Sequence, residues 1–229
     1  VSDAPVAAAP AAPDEPRITD PLRGIGPRNE AIVAFLRGIL KVVSRILFRL
    51  SLADVTPIPP GPIILAPNHR SFLDPLVVGS VVSRRPFFLM HARYYHNPLV
   101  HWFCRATRCI PVAGEGDNRQ ALRDGQRVLE SGRLLCIFPE GTISPDGELG
   151  EAQPGVAWLA RKTNAPVIPV WIGGTREALK KGTARLRFSR VTMRIGEPLH
   201  LSDFGTGRKG AADFTAALMA AIAELGTRD

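Results

Sequence analysis

The stretch Asn68-His69-Arg70-Ser71-Phe72-Leu73-Asp74 places an imidazole and a carboxylate five positions apart, beside a cation and a hydroxyl. These residue types can form a general base with its orienting partner. A neutral imidazole with one free nitrogen takes a proton from a hydroxyl; a carboxylate on the other nitrogen fixes the tautomer and stabilises the imidazolium that forms. His69 and Asp74 are therefore the candidate catalytic pair. A His-x4-Asp spacing arises often by chance, and a capping histidine beside a surface aspartate is the plain alternative, so the pair gains meaning only from the elements around it.

Those elements are legible. Ile63-Ile64-Leu65 is a short apolar run bounded by prolines, the pattern of a buried strand. Phe72 to Val82 reads as a helix, with Asn68 or Ser71 as its cap. Strand, tight turn and helix is an arrangement that projects side chains from a rigid frame. A second such exit follows about 70 residues on, where the apolar run Leu134 to Phe138 empties into Pro139-Glu140-Gly141-Thr142.

Further strands are expected at Pro86–Met90, Cys109–Val112 and Val167–Ile172. Arg185 to Ile195 alternates like one or two strands broken near Ser189. Helices are expected at Asn97–Thr107, from a cap at Asp117 or Asn118 to about Ser131, at Gly155–Asn164 and at Ala211–Leu225. Strands alternating with helices predict an α/β domain over residues 56–229, a mixed, mostly parallel sheet flanked by helices. No phosphate-binding glycine loop or dinucleotide pattern interrupts it.

The 229 residues, 45% of them hydrophobic, suffice for one domain with a proper core. A net charge of +8 points to an anionic partner. Residues 1–30 are rich in alanine and proline and read as a disordered tail. They carry no signal-peptide pattern, and the opening Val1 leaves room for residues upstream. Residues 31–55 read as a basic amphipathic helix. Arg37, Lys41, Arg45 and Arg49 recur every four positions, opposite Ile32, Leu36, Ile39, Val43, Leu47 and Leu50. A charge at every turn argues against a spanning helix and suits one lying in the interface of an anionic membrane, peripheral or monotopic on its cytoplasmic face. A core-packing helix with a solvated basic face is the bland counterpart.

Cys104, Cys109 and Cys136 sit in apolar surroundings and read as reduced core thiols. His96, His101, Cys104 and Cys109 match no zinc spacing, so no metal is expected. Nucleic acid is not expected as a partner, since Tyr94-Tyr95 alone approaches an aromatic, basic surface.

The two strand-exit segments together, Asn68 to Asp74 and Phe138-Pro139-Glu140-Gly141-Thr142, resemble the first and third motifs of the phospholipid/glycerol acyltransferase family, typified by 1-acylglycerol-3-phosphate acyltransferases. Val167-Ile168-Pro169-Val170 is similar to its fourth. The resemblance implies an O-acyltransferase of phospholipid biosynthesis. It would move a fatty acyl group from an acyl thioester, acyl-CoA or acyl carrier protein, to the free hydroxyl of a lysophospholipid such as 1-acylglycerol-3-phosphate. His69 would be the base and Asp74 its orienting group; no cofactor is needed beyond the thioester co-substrate.

The family's third motif helps bind the acceptor's phosphate end, which maps to Glu140, Gly141 and Thr142. Because two anions repel, the phosphate contact falls to the Gly141 and Thr142 amides, the Thr142 hydroxyl and nearby cations, with Glu140 holding an arginine or hydroxyl in place. Arg70, beside the base, suits a phosphate or a tetrahedral oxyanion, and Ser71 completes the acceptor-binding group.

Ile143 stands where the family usually has arginine. Arg108 to Gly114 lacks the second motif's arginine, with Arg119 a few residues on, and the basic residue after the second strand gives way to His91 or Arg93. These departures leave room for a different, phosphate-free acceptor. The competing reading of another class is a membrane-binding module that has lost catalysis. A His/Asp hydrolase would want a Gly-x-Ser-x-Gly elbow, which the chain lacks.

Overall fold

The backbone builds outward from a strand that is buried along its whole length, β2 (Ile63–Pro67). The computed structural model describes residues 22, 27–92, 104, 108–113, 118–180 and 185–228. Residues 1–21, the expected helix at Asn97–Thr107 except Cys104, His96, His101, Arg93, Tyr94, Tyr95 and the cap candidate Asp117 lie outside these.

The strands are β1 (Ser51–Val55), β2, β3 (Pro86–His91), β4 (Ile110–Val112), β5 (Leu134–Cys136), β6 (Val167–Gly173) and β7 (Thr192–Ile195). They form one sheet in the order β1-β7-β6-β2-β5-β3-β4. Every pairing is parallel except β6 with β7. The helices are α1 (Pro27–Leu47), α2 (Asp74–Val81), α3 (Arg119–Glu130), α4 (Gly155–Thr163), the short α5 (Thr175–Ala178) and α6 (Gly207–Thr227).

Side-chain alternation divides the core in two. Ile63 and Leu65 of β2 pack with Val77 and Val78 of α2, Phe48 and Ala178. Ile64 and Ala66 point to the opposite face, against Val128 and Leu129 of α3, Leu159 of α4 and Phe214, Leu218 and Ile222 of α6. A parallel strand covered by helices on both sides carries apolar residues at every position, which is why β2 reads as a continuous apolar run. With a parallel partner on each side, β2 delivers its C-terminal end to the edge where β5 and β6 also end.

The expected architecture is the observed one, with local differences: α1 begins at Pro27, inside the stretch 1–30 read as a tail, and β5 ends at Cys136. Residues 51–55 belong to the sheet as β1 and not to the N-terminal helix, which ends at Leu47. Arg49 then takes a positive φ of 43° in the turn into β1. Helix α2 begins at Asp74 rather than Phe72, and neither Asn68 nor Ser71 caps it. Asn118 stands at the N-cap of α3 without a side-chain capping bond. Of the stretch Arg185–Ile195 only Thr192–Ile195 pairs, because residues 185–190 run along the outside of the domain.

Helix α1 lies against α2, with Ser44 buried, Leu40 and Leu47 partly buried and Phe48 following into the core. Arg37 departs from the basic row: its guanidinium donates to Gly79 O at 2.9 Å, to Ser83 O at 3.4 Å and to Val82 O. These carbonyls close the C-terminal end of α2, where a cation complements the helix dipole. Phe35, Leu36, Ile39, Val42, Val43 and Ile46 remain exposed on α1 beside Lys41 and Arg45. No helix among the described residues is long and apolar enough to cross a membrane.

Candidate active site

Pro67 ends β2, and the next residue extends the sheet with its side chain. The buried Asn68 amide donates through Nδ2 to Ile172 O (3.0 Å) and accepts the Ile172 N–H at Oδ1 (2.7 Å). A side-chain amide thus stands in for a peptide group of the β2–β6 ladder, and it pins the start of the following turn.

Asp74, the first residue of α2, is fully buried and organises that turn. Its Oδ2 accepts the Arg70 and Ser71 amides, each at 2.7 Å, and lies 3.0 Å from His69 Nδ1. Two N–H donors at short range hold the oxygen as a carboxylate acceptor, so Nδ1 bears the imidazole proton and Nε2 carries the lone pair. Among the described residues Asp74 Oδ1 has no hydrogen-bond partner. The buried Cys136 thiol is pushed well up, by burial first and by the Asp74 charge second, which keeps it protonated and unreactive.

The second exit supplies the other wall. Phe138 stacks on the His69 ring, centroids 4.0 Å apart and planes 21° from parallel. Pro139 and Glu140 turn back through Gly141, whose φ of 71° suits glycine. The buried Glu140 carboxylate then clamps two segments. Oε1 accepts the His69 backbone N–H at 2.7 Å and Oε2 the Gly150 N–H at 3.1 Å. Burial raises its pKa, and the two amides oppose that rise. The Ser144 N–H donates to His69 O at 2.9 Å, so both backbone groups of His69 are held by the Glu140–Ser144 segment.

Three expectations about this loop change. Glu140 holds neither an arginine nor a hydroxyl among the described residues; it holds the backbone of the His69 turn. The Gly141 N–H donates to Phe138 O at 3.0 Å and is committed to the turn rather than to a ligand. Ser71 turns inward, its hydroxyl donating to Leu179 O at 2.8 Å and accepting the Leu73 N–H. Thr142 is exposed beside the turn. The Arg70 guanidinium lies 5.3 Å from the centre of the Trp171 ring, and its buried Nε has no hydrogen-bond partner among the described residues. Ile143 is 4% exposed, a core residue under the loop.

His69, Asp74, Arg70, Ser71 and Glu140 thus come together at the shared C-terminal edge of β2, β5 and β6. Lys41 and Arg45 stand on α1, away from the turn in sequence and element. Phe138 and Asn68 take roles that residue-by-residue reading missed. Phe138 lies within the Phe138–Thr142 motif but reads only as a strand end, and the Asn68 pairing depends on a strand 104 residues away.

Comparisons with known proteins bear on the family and the fold. A family model described as Acyltransferase matches residues 49–173, from the turn into β1 to the end of β6. The chloroplastic 1-acyl-sn-glycerol-3-phosphate acyltransferase of Arabidopsis thaliana is 28% identical over 142 residues, 61% of this chain and 40% of its own length. The enzyme of the same name from Bacillus subtilis is 27% identical over 169 residues, 71% of this chain and 80% of that one. The chain therefore spans less than half the length of its chloroplastic relative and most of the bacterial one. In structure it is similar to the 1-acyl-sn-glycerophosphate acyltransferase of Thermotoga maritima, with a TM-score of 0.73 at 24% identity, covering 88% of this chain and 82% of that one. That likeness supports the fold. With both strand exits inside the matched segment and the His69–Asp74 pair assembled between them, the chain belongs to the acyltransferase family.

Proposed function

We propose that the protein is a membrane-associated 1-acylglycerol-3-phosphate acyltransferase, taking its acyl group from a thioester of coenzyme A or acyl carrier protein. The observation that carries the mechanism is the Asp74 Oδ2 contact to His69 Nδ1, which leaves Nε2 as the basic nitrogen. The acceptor hydroxyl gives its proton to Nε2 as its oxygen attacks the thioester carbonyl carbon. The tetrahedral intermediate collapses with cleavage of the C–S bond, and the imidazolium returns the proton to the departing thiolate. The buried Asp74 carboxylate stabilises the imidazolium, and Phe138 fixes the ring plane. No acyl-enzyme is required, and all three cysteines are buried.

Arg70 is the cation adjacent to the base in sequence and is assigned to the oxyanion or the acceptor phosphate, with exposed Thr142 as a hydroxyl contact. Membrane association, on the cytoplasmic face, is assigned to α1 through its exposed apolar side chains with Lys41 and Arg45. The buried Ile143 favours a second acceptor class, a phosphate-free hydroxyl.

The test is thioester consumption by purified protein with long-chain acyl-CoA across lysophospholipids, glycerol phosphate and phosphate-free acceptors, with a His69→Ala control. Turnover with 1-acylglycerol-3-phosphate, reduced about 10²–10⁴-fold in the variant, is expected. Wild-type rates from a folded His69→Ala protein would refute the base, and turnover confined to phosphate-free acceptors would refute the acceptor. Silence with acyl-CoA and with acyl carrier protein alike would leave a binding module.

A further inference from the structure

Beyond β6 the chain folds back on the catalytic edge and gathers charge there. Gly174, at φ 84°, turns the strand into α5, and Arg176 of that helix donates to Pro145 O at 3.1 Å. Leu179 O receives the Ser71 hydroxyl, and the Arg187 N–H donates to Ala178 O at 2.8 Å. The resulting cavity of about 380 Å³ is lined by Arg176, Lys180, Arg185 and Arg187, with Glu177 as the single carboxylate among the described lining residues. Four cations gathered around one carboxylate favour an anionic occupant.

The outer side of the same segment is apolar. Leu186 is 50% and Phe188 84% exposed, alternating with the cavity cations Arg185 and Arg187. An aromatic ring left this open on a basic segment suits a membrane interface, where the ring enters the headgroup layer and arginines meet phosphates. The segment then meets the turn between α1 and β1: the Val191 N–H donates to Phe48 O at 2.8 Å, and the Ser51 N–H to Val191 O at 2.9 Å.

We infer that the Arg176–Lys180 and Arg185–Arg190 segments form a binding site for the phosphate of a membrane phospholipid, with Leu186 and Phe188 seated in the interface beside it. The inference rests on the membrane reading of α1. A soluble phosphate, including those of a coenzyme A donor, would satisfy the four cations equally. The exposed apolar pair commits the site to a lipid. Because Ser71 is tied to Leu179, a lipid bound here seats the catalytic turn at the bilayer surface.

The three native cysteines are buried, so the full chain carrying Phe188→Cys can be labelled at one exposed thiol with a polarity-sensitive fluorophore. With vesicles of phosphatidylcholine and phosphatidylglycerol, a several-fold rise in emission and quenching by brominated lipid are expected. Arg185→Gln/Arg187→Gln should weaken vesicle affinity roughly 10- to 30-fold without raising the KM for acyl-CoA. A label that stays water-exposed and unquenched on vesicle-bound protein would overturn the site while leaving α1 as the anchor. A raised KM for acyl-CoA with unchanged vesicle affinity would overturn it in favour of the donor's phosphates. Wild-type protein that binds neither anionic nor neutral vesicles would overturn the α1 reading and this site with it.

Discussion

At the scale of single residues, the site depends on carboxylates that accept backbone amides as well as facing chemistry. Asp74→Asn would set an amide NH₂ or a weaker oxygen against the Arg70 and Ser71 N–H groups and disturb the His69 tautomer. We expect a fall in kcat of about 10²–10⁴-fold with little change in the acceptor KM, read from steady-state kinetics. Glu140→Gln tests a different role. Its oxygens hold His69 and Gly150 by their amides, so the variant should lose about 1–3 kcal/mol of unfolding free energy in denaturant titrations. Burial holds the Glu140 pKa above the ordinary glutamate range, so the native state binds that proton more tightly than the unfolded chain. This residue's contribution to stability is greatest below its unfolded value and declines as pH rises to its folded one. That component of the slope should be missing from Glu140→Gln.

At the scale of elements, the β2–β6 junction and the turn after β6 carry the geometry. Asn68→Ala removes both bonds to Ile172 and leaves its backbone groups unpaired in the core; a loss of about 1–3 kcal/mol is expected. Gly174 is stricter. A Cβ there would lie 1.9 Å from Arg190 O, at a φ that disfavours any side chain. Gly174→Ala should therefore cost more than about 3 kcal/mol or prevent folding, as read by thermal denaturation. Arg37 performs the equivalent service for α2, joining α1 to the end of the helix that opens with Asp74.

At the scale of the whole molecule, the proposed membrane association draws on the +8 charge and on the exposed side of α1 together. Phe35 is 70% and Ile46 69% exposed, so replacing both with serine removes apolar area that the fold does not use. Phe35→Ser/Ile46→Ser should keep its melting temperature and lose vesicle binding at least tenfold, measured by cosedimentation. Retained binding would remove α1 as the anchor. Raising ionic strength should weaken the Lys41 and Arg45 contribution and leave the apolar part in place.

The sequence by itself determined the α/β alternation, the strands at Ile63, Pro86, Leu134 and Val167, and the pairing of His69 with Asp74. The elements follow from local periodicity and turn residues; the pair, whose spacing alone arises by chance, gained its meaning from the resemblance of the two strand exits to the family's motifs. What only the tertiary structure decided are relations across long separations. Asn68 and Ser71 read as helix caps because local sequence offers only neighbouring amides, whereas the fold brings Ile172 and Leu179 to them. Glu140 read as holding an arginine or a hydroxyl because its backbone partners, His69 and Gly150, become neighbours only when β2 and β5 lie side by side. Arg37 counted as one of four equivalent cations until α1 settled on α2, and β1 looked like the end of a helix until β7 offered it a parallel edge. Hydrophobic period and turn chemistry are written locally; hydrogen-bond partners are assigned by topology.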